Sequence, residues 1–360
     1  MLSRHPKNTT MLRAIVALAA CATLSANMAR AEDDDHEHNH QAPTVISACG
    51  AGVVISQPGH YVLDAGPLRL LNCNFTATGN GITITASNVT LSLNNQRVQF
   101  FGTPSTLVPG VGILVQSTDG SRLRNVQIKG TGAVVAWIVG IKFVNVDKGT
   151  ADGVTAANNR TAGIETDGVT RFVLTDSMMA RNGTYGLKLR NSVEGRVKGN
   201  TISANGIRTT FAAGVTTVIW PTNAPGIGLG IHGGSENRVE RNKVSGNFGD
   251  GIAVGKFLAG DDDSSGNDIS ENLTAGNLSS TGGSFTNLYV ATGSGGNQIH
   301  DNEALNLEDD NVACGSNAWY NNTFITTFSN NGVSSVAGTI GAPLSVTAAN
   351  VFTGLLSCAR

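Results

Sequence analysis

The stretch Val239-Glu240-Arg241-Asn242-Lys243-Val244 contains a pattern that recurs along the carboxyl-terminal half of this chain. An apolar residue is followed three positions later by Asn, and two positions after that by a small or apolar residue. The other copies are Val197/Asn200/Ile202, Ile269/Asn272/Thr274, Ile299/Asn302/Ala304 and Trp319/Asn322/Phe324. Fixed spacing inside the copies and variable spacing between them are typical of a solenoid. Each copy predicts a strand, a tight turn and a strand, too short to bury their own apolar side chains, so the copies must stack.

Asparagine suits the turn of this repeat for two reasons. Its side chain tolerates left-handed backbone and can bond to its own backbone. Stacked Asn side chains can also bond to one another along the solenoid axis. We therefore expect Asn242, Asn272 and Asn302 to stack inside neighbouring coils, whereas Asn277, which follows the third strand, should matter far less for stability.

A second pattern places a short strand after Gly or Asn, with apolar residues mostly at its first and third positions. This period-two alternation predicts β-strands, and helical periodicity is almost absent after the first residues. Gly140, Gly163 and Gly186 follow one another at intervals of 23 residues, about one turn of a three-strand solenoid. The strands are Ile82-Thr83-Ile84, Ile113-Leu114-Val115, Ile141-Lys142-Phe143, Ile164-Glu165-Thr166, Leu187-Lys188-Leu189, Ile231-His232-Gly233, Ile252-Ala253-Val254 and Leu288-Tyr289-Val290. The chain is thus predicted to be all-β, and helical bundles, doubly wound sheets and barrels are disfavoured.

Residues 1–31 have the features of a signal peptide. Three early basic residues precede a largely apolar stretch, and Ala29-Arg30-Ala31 is a small-x-small cleavage site. The apolar stretch is too short to span a bilayer, and no other segment is suited to do so. The expected location is periplasmic or secreted. The alternative is a lipoprotein anchored through Cys21, because Leu18-Ala19-Ala20-Cys21 resembles a lipobox.

Residues 32–44 are predicted to form a flexible acidic and His-rich tail, and residues 45–360 a single elongated domain. His36, His38 and His40 at alternate positions of this tail could hold a divalent ion weakly. Removing the first 31 residues leaves 20 basic and 26 acidic residues, a formal charge of −6. Five of those acids lie in the tail, so the folded part is nearly neutral, which argues against a nucleic acid partner.

The exported chain keeps four cysteines, Cys49, Cys73, Cys314 and Cys358. An even number in an oxidising compartment predicts disulfides. Three pairings are possible, and proximity favours Cys49–Cys73 and Cys314–Cys358. Such crosslinks would stabilise the two ends of the solenoid, where strand edges and core are exposed. A metal or redox site is the competing interpretation, but no CxxC spacing supports it.

The opening segment resembles secreted right-handed parallel β-helix proteins of bacteria, in the pectate-lyase-like superfamily. The resemblance rests on Cys49-Gly50, Gly59-His60-Tyr61-Val62-Leu63, Leu70, Cys73 and the run from Gly81 to Leu91, with the Asn repeats and Cys314-Gly315-Ser316-Asn317-Ala318-Trp319 later in the chain. It covers about Val45 to Arg360 and implies a single-stranded right-handed parallel β-helix. The superfamily includes polysaccharide lyases, hydrolases and epimerases, phage tailspikes and periplasmic copper-handling proteins, so the fold does not select an activity.

The best-known enzymes of this superfamily carry motifs that can be sought here. Leu307-Glu308-Asp309-Asp310 offers the acidic pair of polygalacturonases, but their Gly-His-Gly and Arg-Ile-Lys segments do not occur. The Asp-Pro-His-Asp segment of alginate epimerases is also missing from the sequence. No catalytic residue can therefore be assigned by motif.

The strand alignment suggests a site instead, because equivalent positions in successive coils lie about 4.8 Å apart. The outward middle positions form one row, Thr83, Leu114, Lys142, Glu165, Lys188, His232, Ala253 and Tyr289. A second row lies two residues further along, Thr85, Gln116, Val144, Asp167, Arg190, Gly234, Gly255 and Ala291. Our candidate catalytic residues are Lys188, Arg190, His232, Asp167 and Glu165. The alternative is a purely structural ladder of cross-strand ion pairs.

Two insertions, 207–225 and 256–266, are expected to wall a groove over these rows. Trp220 in the first could stack on a sugar ring, and Lys142, Lys256 and Tyr289 complete the predicted substrate-binding set. His232 has a reference pKa suited to proton transfer near neutrality. Asp261, Asp262 and Asp263 form either a weak Ca²⁺-binding turn or a flexible acidic loop. No cofactor is otherwise indicated.

Three functional hypotheses follow from these features. The first is an exported β-helix that binds an extracellular or periplasmic polysaccharide and cleaves or epimerises it, as a lyase, glycoside hydrolase or uronate epimerase. The second is a non-enzymatic surface or periplasmic scaffold or adhesion-type protein. The third, ranked last, is periplasmic copper handling, because the folded part holds only His60, His232 and His300.

Overall fold

The computed structural model describes the β-rich part of the chain. The described residues are 42–50, 52–64, 66–73, 79–100, 110–206, 210–213, 216–219, 226–256, 261–277, 286–310, 317–330, 333–335 and 344–345. Within them the structure consists of β-strands, turns and one short 3₁₀ turn at Gly66–Leu68. No helix in this described part has the length and apolar character that a membrane-spanning segment needs.

The strands are short and follow one another closely along the chain. The first are β1 Thr44–Ile46, β2 Val53–Ile55, β3 Gly59–Leu63, β4 Leu70–Cys73, β5 Ile82–Ile84, β6 Val89–Ser92, β7 Arg97–Phe100, β8 Val111–Val115, β9 Leu123–Val135, β10 Val139–Val144 and β11 Val146–Ala157. Then come β12 Ala162–Asp167, β13 Val173–Thr175, β14 Met178–Ala180, β15 Tyr185–Arg190, β16 Arg196–Lys198, β17 Thr201–Ser203, β18 Thr210–Ala213, β19 Thr216–Ile219, β20 Ile227–His232, β21 Arg238–Glu240 and β22 Lys243–Ser245. The last are β23 Ile252–Val254, β24 Asp268–Ser270, β25 Leu273–Ala275, β26 Leu288–Val290, β27 Gln298–His300, β28 Glu303–Asp309, β29 Ala318–Tyr320, β30 Thr323–Asn330, β31 Val333–Ser335 and β32 Leu344–Ser345.

Parallel pairing between successive coils arranges these strands in three stacks. The first stack runs through β2, β5, β8, β10, β12, β15, β20, β23, β26 and the end of β28. The second runs through β1, β3, β6, the start of β9, the start of β11, β13, β16, β21, β24, β27 and β29. The third runs through β4, β7, the ends of β9 and β11, β14, β17, β22, β25, and the starts of β28 and β30. We call the outward surfaces of the first and second stacks the first face and the second face.

The core lies between the three stacks and is made of the alternate, inward side chains. Ile141, Ile164 and Leu187 follow one another in register in the first stack, and each is fully buried. Aromatic residues also pack in the core. The rings of Phe143 and Phe172 are in contact, with 5.2 Å between their centroids. Trp319, predicted as a core residue, is 4% exposed. The predicted all-β solenoid of parallel strands is confirmed.

Three columns of buried asparagines run along the three corners of the coil. In each column the Nδ2 of one Asn donates to the Oδ1 of the Asn in the next coil, at 2.6–3.0 Å. The columns are Asn200/Asn242/Asn272/Asn302/Asn322, then Asn159/Asn182/Asn205/Asn247/Asn277/Asn287/Asn306, and Asn237/Asn267/Asn297/Asn317. The predicted stacking of Asn242, Asn272 and Asn302 is therefore present.

Two expectations about these turns do not fit the structure. The left-handed residue is the one that precedes the ladder Asn, for example Arg241 (φ 56°) before Asn242 or Glu271 (φ 56°) before Asn272. The ladder Asn is thus selected by its amide, not by tolerance of left-handed backbone. Asn277 does follow the third strand, as expected, but it is 6% exposed and belongs to a second column of stacked amides. Its position after the strand therefore gives no reason for a smaller effect than at Asn272.

The expected crosslinks at the solenoid ends stay predictions. Cys49 is buried in the core, and Cys73 ends strand β4. The side chain of Cys73 lies outside the described part of the chain, as do Cys314 and Cys358. The predicted signal peptide and most of the tail also lie outside it.

Candidate functional site

The central row of the first face carries the paired charges that the sequence predicted. Lys142, Glu165 and Lys188 are register partners in successive coils. The row then continues through Gly230, Ala253, Tyr289 and Glu308. The Nζ of Lys142 lies 2.9 Å from Oε1 of Glu165, so these two charges neutralise each other.

His232 belongs to the neighbouring row, not to the central one. Its register partner is Arg190, which in turn pairs with Asp167, while Gly230 pairs with Lys188. The predicted alignment was two residues out at this strand. A two-residue slip keeps every side chain on the same face of a strand, so alternation cannot exclude it. In the run Gly226-Ile227-Gly228-Leu229-Gly230 the Gly-apolar unit repeats every two residues, so both registers fit the pattern.

A buried ionic chain links this second row to the loop after β23. His232 is fully buried, and its Nδ1 lies 2.9 Å from Oδ2 of Asp261. Asp261 is 2% exposed, and its Oδ1 lies 3.4 Å from Nε of Arg190. Arg190 also lies 3.6 Å from Asp167. The structure thus brings together three of the predicted catalytic residues, His232, Arg190 and Asp167. They are connected through Asp261, which the sequence analysis assigned to a possible Ca²⁺-binding turn.

Burial determines the charge of His232. Loss of solvent lowers the pKa of the imidazole, and the positive charges of Lys188 and Arg190 act in the same direction, against the hydrogen bond with Asp261. His232 is therefore neutral near pH 7. Its Nδ1–H donates a hydrogen bond to the Asp261 carboxylate. Because no part of the ring is exposed, the imidazole does not reach the molecular surface in this conformation.

Tyr185 packs between His232 and Lys188. The rings of Tyr185 and His232 meet edge to face at 5.3 Å, and the Nζ of Lys188 lies 5.3 Å from the Tyr185 ring centroid, within cation–π range. Burial raises the pKa of the Tyr185 phenol. Gly230 is required beneath this cluster, because a Cβ there would lie 2.6 Å from Nε2 of His232.

An apolar row runs beside the charged rows on the same face. Val139, Ala162, Tyr185 and Ile227 are register partners in four successive coils. With Ala253 they form a buried cluster separate from the core, and Tyr289 packs against it as a half-buried ring. The first face therefore carries an apolar row beside two charged rows.

The carboxyl-terminal end of the first face is acidic, which the sequence analysis did not predict. Thr286 connects two carboxyl groups, since its backbone N–H donates to Asp250 (2.8 Å) and its hydroxyl donates to Glu308. Burial raises the pKa of Asp250 to about 6, and Glu308 acts in the same direction. Tyr289 donates to Asp310 at 2.7 Å. Glu308 and Asp310 belong to the acidic segment that was compared with polygalacturonases, but only the in-register coil alignment brings them close to Asp250 and Tyr289.

Trp220, Lys256, Asp262 and Asp263 were also predicted as site residues, and no described contact joins them to the group around His232. Trp220 lies outside the described part of the chain. Lys256, Asp262 and Asp263 are exposed, whereas Asp261 is buried against His232. Among the described residues no group of three His, Cys, Asp or Glu side chains is arranged to hold a metal ion. Ca²⁺ binding by Asp261–Asp263 stays a prediction.

The acidic pair compared with polygalacturonases is divided between two environments. Asp309 is 7% exposed, and its Oδ2 accepts from Nε1 of Trp319 at 3.0 Å and from Nδ2 of Asn317 at 3.1 Å. Asp310 bonds to Tyr289 on the first face. Asp309 therefore serves the packing of the last coils.

These coils and their stacked asparagines define a right-handed parallel β-helix of the pectate-lyase-like kind, which confirms the expected resemblance. The family described as periplasmic copper-binding protein (NosD) matches residues 37–221, just over half of the sequence. The chain belongs to the NosD family.

Solved structures support the fold alone. The Dettilon tailspike protein (gp208) aligns at a TM-score of 0.53 with 14% identity, covering 80% of this chain and 54% of that one. The enzymatically active domain of bacteriophage CBA120 tailspike protein 2 aligns at 0.50 with 16% identity, covering 78% and 43%. This chain thus spans about half the length of these proteins. Pectate lyase Pel9A aligns more loosely, at 0.38 with 16% identity, covering 78% and 74%. No curated protein matches the sequence.

Proposed function

We propose that this chain is exported to the periplasm, through a signal peptide at residues 1–31, and binds a polysaccharide along the first face. The observation that carries the proposal is the side-by-side arrangement of the apolar row, the half-buried Tyr289 ring and the charged rows over consecutive coils. Sugar rings have apolar faces that pack on such rings and hydroxyl groups that bond to fixed charges.

The charges of the first face favour a neutral polymer. Lys142 is paired with Glu165, and Arg190 lies between Asp167 and Asp261, so the middle coils have little net charge. The carboxyl-terminal coils add Asp250, Glu308 and Asp310 without a nearby cation among their described contacts. A polymer of uronic acids would meet like charge there.

Within this proposal the predicted residues take different roles. Lys142 and Arg190 have side chains 26% and 36% exposed and contact the polymer. His232 and Asp261 are buried and act as positioning residues. Asp261 holds the Arg190 side chain through its Nε, and His232 in turn holds Asp261. Trp220 and Lys256 remain proposed sugar contacts on sequence grounds.

The test is affinity electrophoresis through gels that contain dextran, a 1,3-glucan, a 1,4-glucan, xylan or polygalacturonate. We expect the wild-type protein to be retarded by at least one neutral polymer. Replacing Tyr289 by Ala removes a ring contact worth about 1.4 kcal/mol, so the apparent Kd for that polymer should rise about tenfold. Tyr61→Ala is the matched control, because Tyr61 is also half-buried and hydrogen-bonded, but lies in the second stack.

Two results would contradict this proposal. The first is normal migration in every gel, which would leave the scaffold or adhesion function. The second is equal loss of binding in Tyr289→Ala and Tyr61→Ala, which would place the polymer elsewhere. Thermal unfolding of both variants shows whether they are folded.

Hydrolytic cleavage of the bound polymer is the enzymatic extension of this proposal. Asp250 is the carboxyl group that we propose as the general acid, because burial raises its pKa to about 6. Long incubation with the retarding neutral polymer, followed by an assay for reducing ends, tests it. Binding without any product assigns the chain a binding function alone.

Copper binding is the second candidate, and the family description supports it. We place the metal on the tail, residues 32–44, where His36, His38 and His40 alternate with acidic and amide residues, since imidazole is a good Cu²⁺ ligand. Calorimetric titration with Cu²⁺ should give binding to the chain that starts at Glu32 and none to one that starts at Gln41. Equal binding to both chains would place the metal in the β-helix and contradict the assignment to the tail.

A further inference from the structure

Three cationic side chains of the second face surround one buried carboxylate. Arg196 and Lys198 lie on β16, and Arg238 and Glu240 lie on the next strand of the second stack, β21. The register pairs Arg196 with Arg238 and Lys198 with Glu240. Because neighbouring strands of a stack are about 4.8 Å apart, the four side chains form one group, which we call the basic patch.

Glu240 fixes the three cations of the basic patch. It is 3% exposed, and its carboxylate lies 2.6 Å from Nη2 of Arg196, 3.2 Å from Nζ of Lys198 and 2.8 Å from Nε of Arg238. Burial opposes ionisation of this carboxyl, but the hydrogen bonds from Arg196 and Lys198 and the charge of Arg238 together hold its pKa below the usual value. The patch is therefore ionised and held in one arrangement near pH 7.

Positive charge is left over after this pairing. Three cations face two carboxylates, Glu240 and the more distant Asp268, and the side chains of Arg196 and Arg238 remain 49% and 53% exposed. In the described part of the chain both ion pairs of Arg238 use Nε, which leaves its two terminal nitrogens for an external acceptor.

The surroundings of the basic patch neutralise it only in part. The nearest further carboxylate, Asp268, lies 3.7 Å from Arg238 and is itself 3.1 Å from Nε2 of His300. On the other side, the register partners of Arg196 and Lys198 are Val173 and Thr175, which carry no charge. The excess charge thus lies on the Arg196 side of the patch.

We propose that the basic patch is a second binding site, which takes the carboxylate, sulfate or phosphate groups of an anionic polysaccharide. A guanidinium group offers paired N–H donors that match two oxygens of such groups. Arginines from two adjacent coils repeat this geometry along the solenoid axis, which fits a polymer with repeated anionic groups. The site goes beyond the neutral-polymer site of the first face and shares no residue with it.

Dextran sulfate and unmodified dextran are the matched probes for this site, since they differ only in the sulfate groups. In affinity electrophoresis we expect dextran sulfate to retard the wild-type protein and the double variant Arg196→Gln/Arg238→Gln to bind it at least tenfold more weakly. Added NaCl should weaken the wild-type interaction, because exposed charges are screened. Lys198→Gln, which removes a single 3.2 Å contact, should show a smaller loss in the same direction.

The control is Arg171→Gln. Arg171 lies just before strand β13 of the same stack, but the three described hydrogen bonds of its guanidinium group all go to Asp147, so binding should change less than twofold. Tyr289→Ala should also bind dextran sulfate normally, which separates this site from the first face.

Three outcomes would overturn the basic patch as a glycan site. These are the lack of retardation by dextran sulfate, equal losses in Arg171→Gln and the double variant, and binding of duplex DNA as tight as that of dextran sulfate. A circular dichroism melt identifies a variant that failed to fold, in which case Lys198→Gln decides the question.

Discussion

A ladder asparagine makes four hydrogen bonds with one side chain. The Oδ1 of Asn272 accepts from the backbone N and from Nδ2 of Asn242, both at 3.0 Å. Its Nδ2 donates to the carbonyl of Val239 and to Oδ1 of Asn302, at 2.8 and 3.0 Å. No other residue of this size offers a donor and an acceptor group that can do this at once.

The first prediction concerns Asn272→Leu and Asn277→Leu. Leucine fills a similar volume but leaves buried donors of the preceding Asn and a buried carbonyl unsatisfied, at about 1–3 kcal/mol for each unsatisfied group. Since Asn277 also makes four such bonds, both variants should lose about 3 kcal/mol or more. Urea unfolding followed by circular dichroism measures the loss.

Gln298→Leu is the matched control for these two variants. It also replaces an amide by leucine, but Gln298 is exposed, and its described contact is a long one of 3.5 Å with Tyr320. Its stability should change by less than about 1 kcal/mol. A small effect of Asn277→Leu, similar to that of Gln298→Leu, would show that the second column contributes little to the free energy of unfolding.

Strands and turns show how far the sequence determines the register. In β10, β12 and β15 the 23-residue interval and clear alternation led to the right partners, as Lys142, Glu165 and Lys188 demonstrate. In β20 the Gly-apolar unit repeats every two residues, so the alternation fits two registers, and the alignment slipped by two residues. Local pattern thus predicts which face a side chain occupies, whereas the level along the axis depends on pairing with a distant strand.

The turn before β23 provides a pH-dependent prediction through Asp250. Its pKa in the folded chain is about 6, above the value of 3.8 for the free group. The folded state therefore binds the proton more tightly, and the stabilisation from this group is present below about pH 4 and is lost as the pH rises through 6. Asp250→Asn removes that loss and keeps an acceptor for the Thr286 N–H.

Asp250→Asn should accordingly be more stable than the wild type at pH 7, by about 2–3 kcal/mol, and equal to it near pH 4. Urea unfolding at a series of pH values measures the difference. Asp262→Asn, at an exposed position between β23 and β24, should show no such trend. A destabilised Asp250→Asn at pH 7 would mean that the ionised carboxylate is stabilised by its surroundings.

At the scale of the whole molecule, the two faces differ in charge. The first face ends in Asp250, Glu308 and Asp310, while the second face carries the basic patch around Glu240. The near-neutral total charge read from the sequence hides this separation, because it sums over both faces. Clusters such as Asp250 with Glu308 join residues far apart in the sequence, and only the coil alignment brings them together.

The asparagine columns also give the molecule an electrical direction. In each column one N–H of every side-chain amide donates to the Asn of the next coil towards the carboxyl terminus, and the amide oxygen faces the preceding coil. Aligned amides add their dipoles, as peptide units do in a helix, so each column is positive at its carboxyl-terminal end. At the last described rung of one column, Asn317 donates to the buried carboxylate of Asp309 at 3.1 Å. Asp309 therefore caps this column of dipoles electrostatically, as an acidic residue caps the amino terminus of a helix.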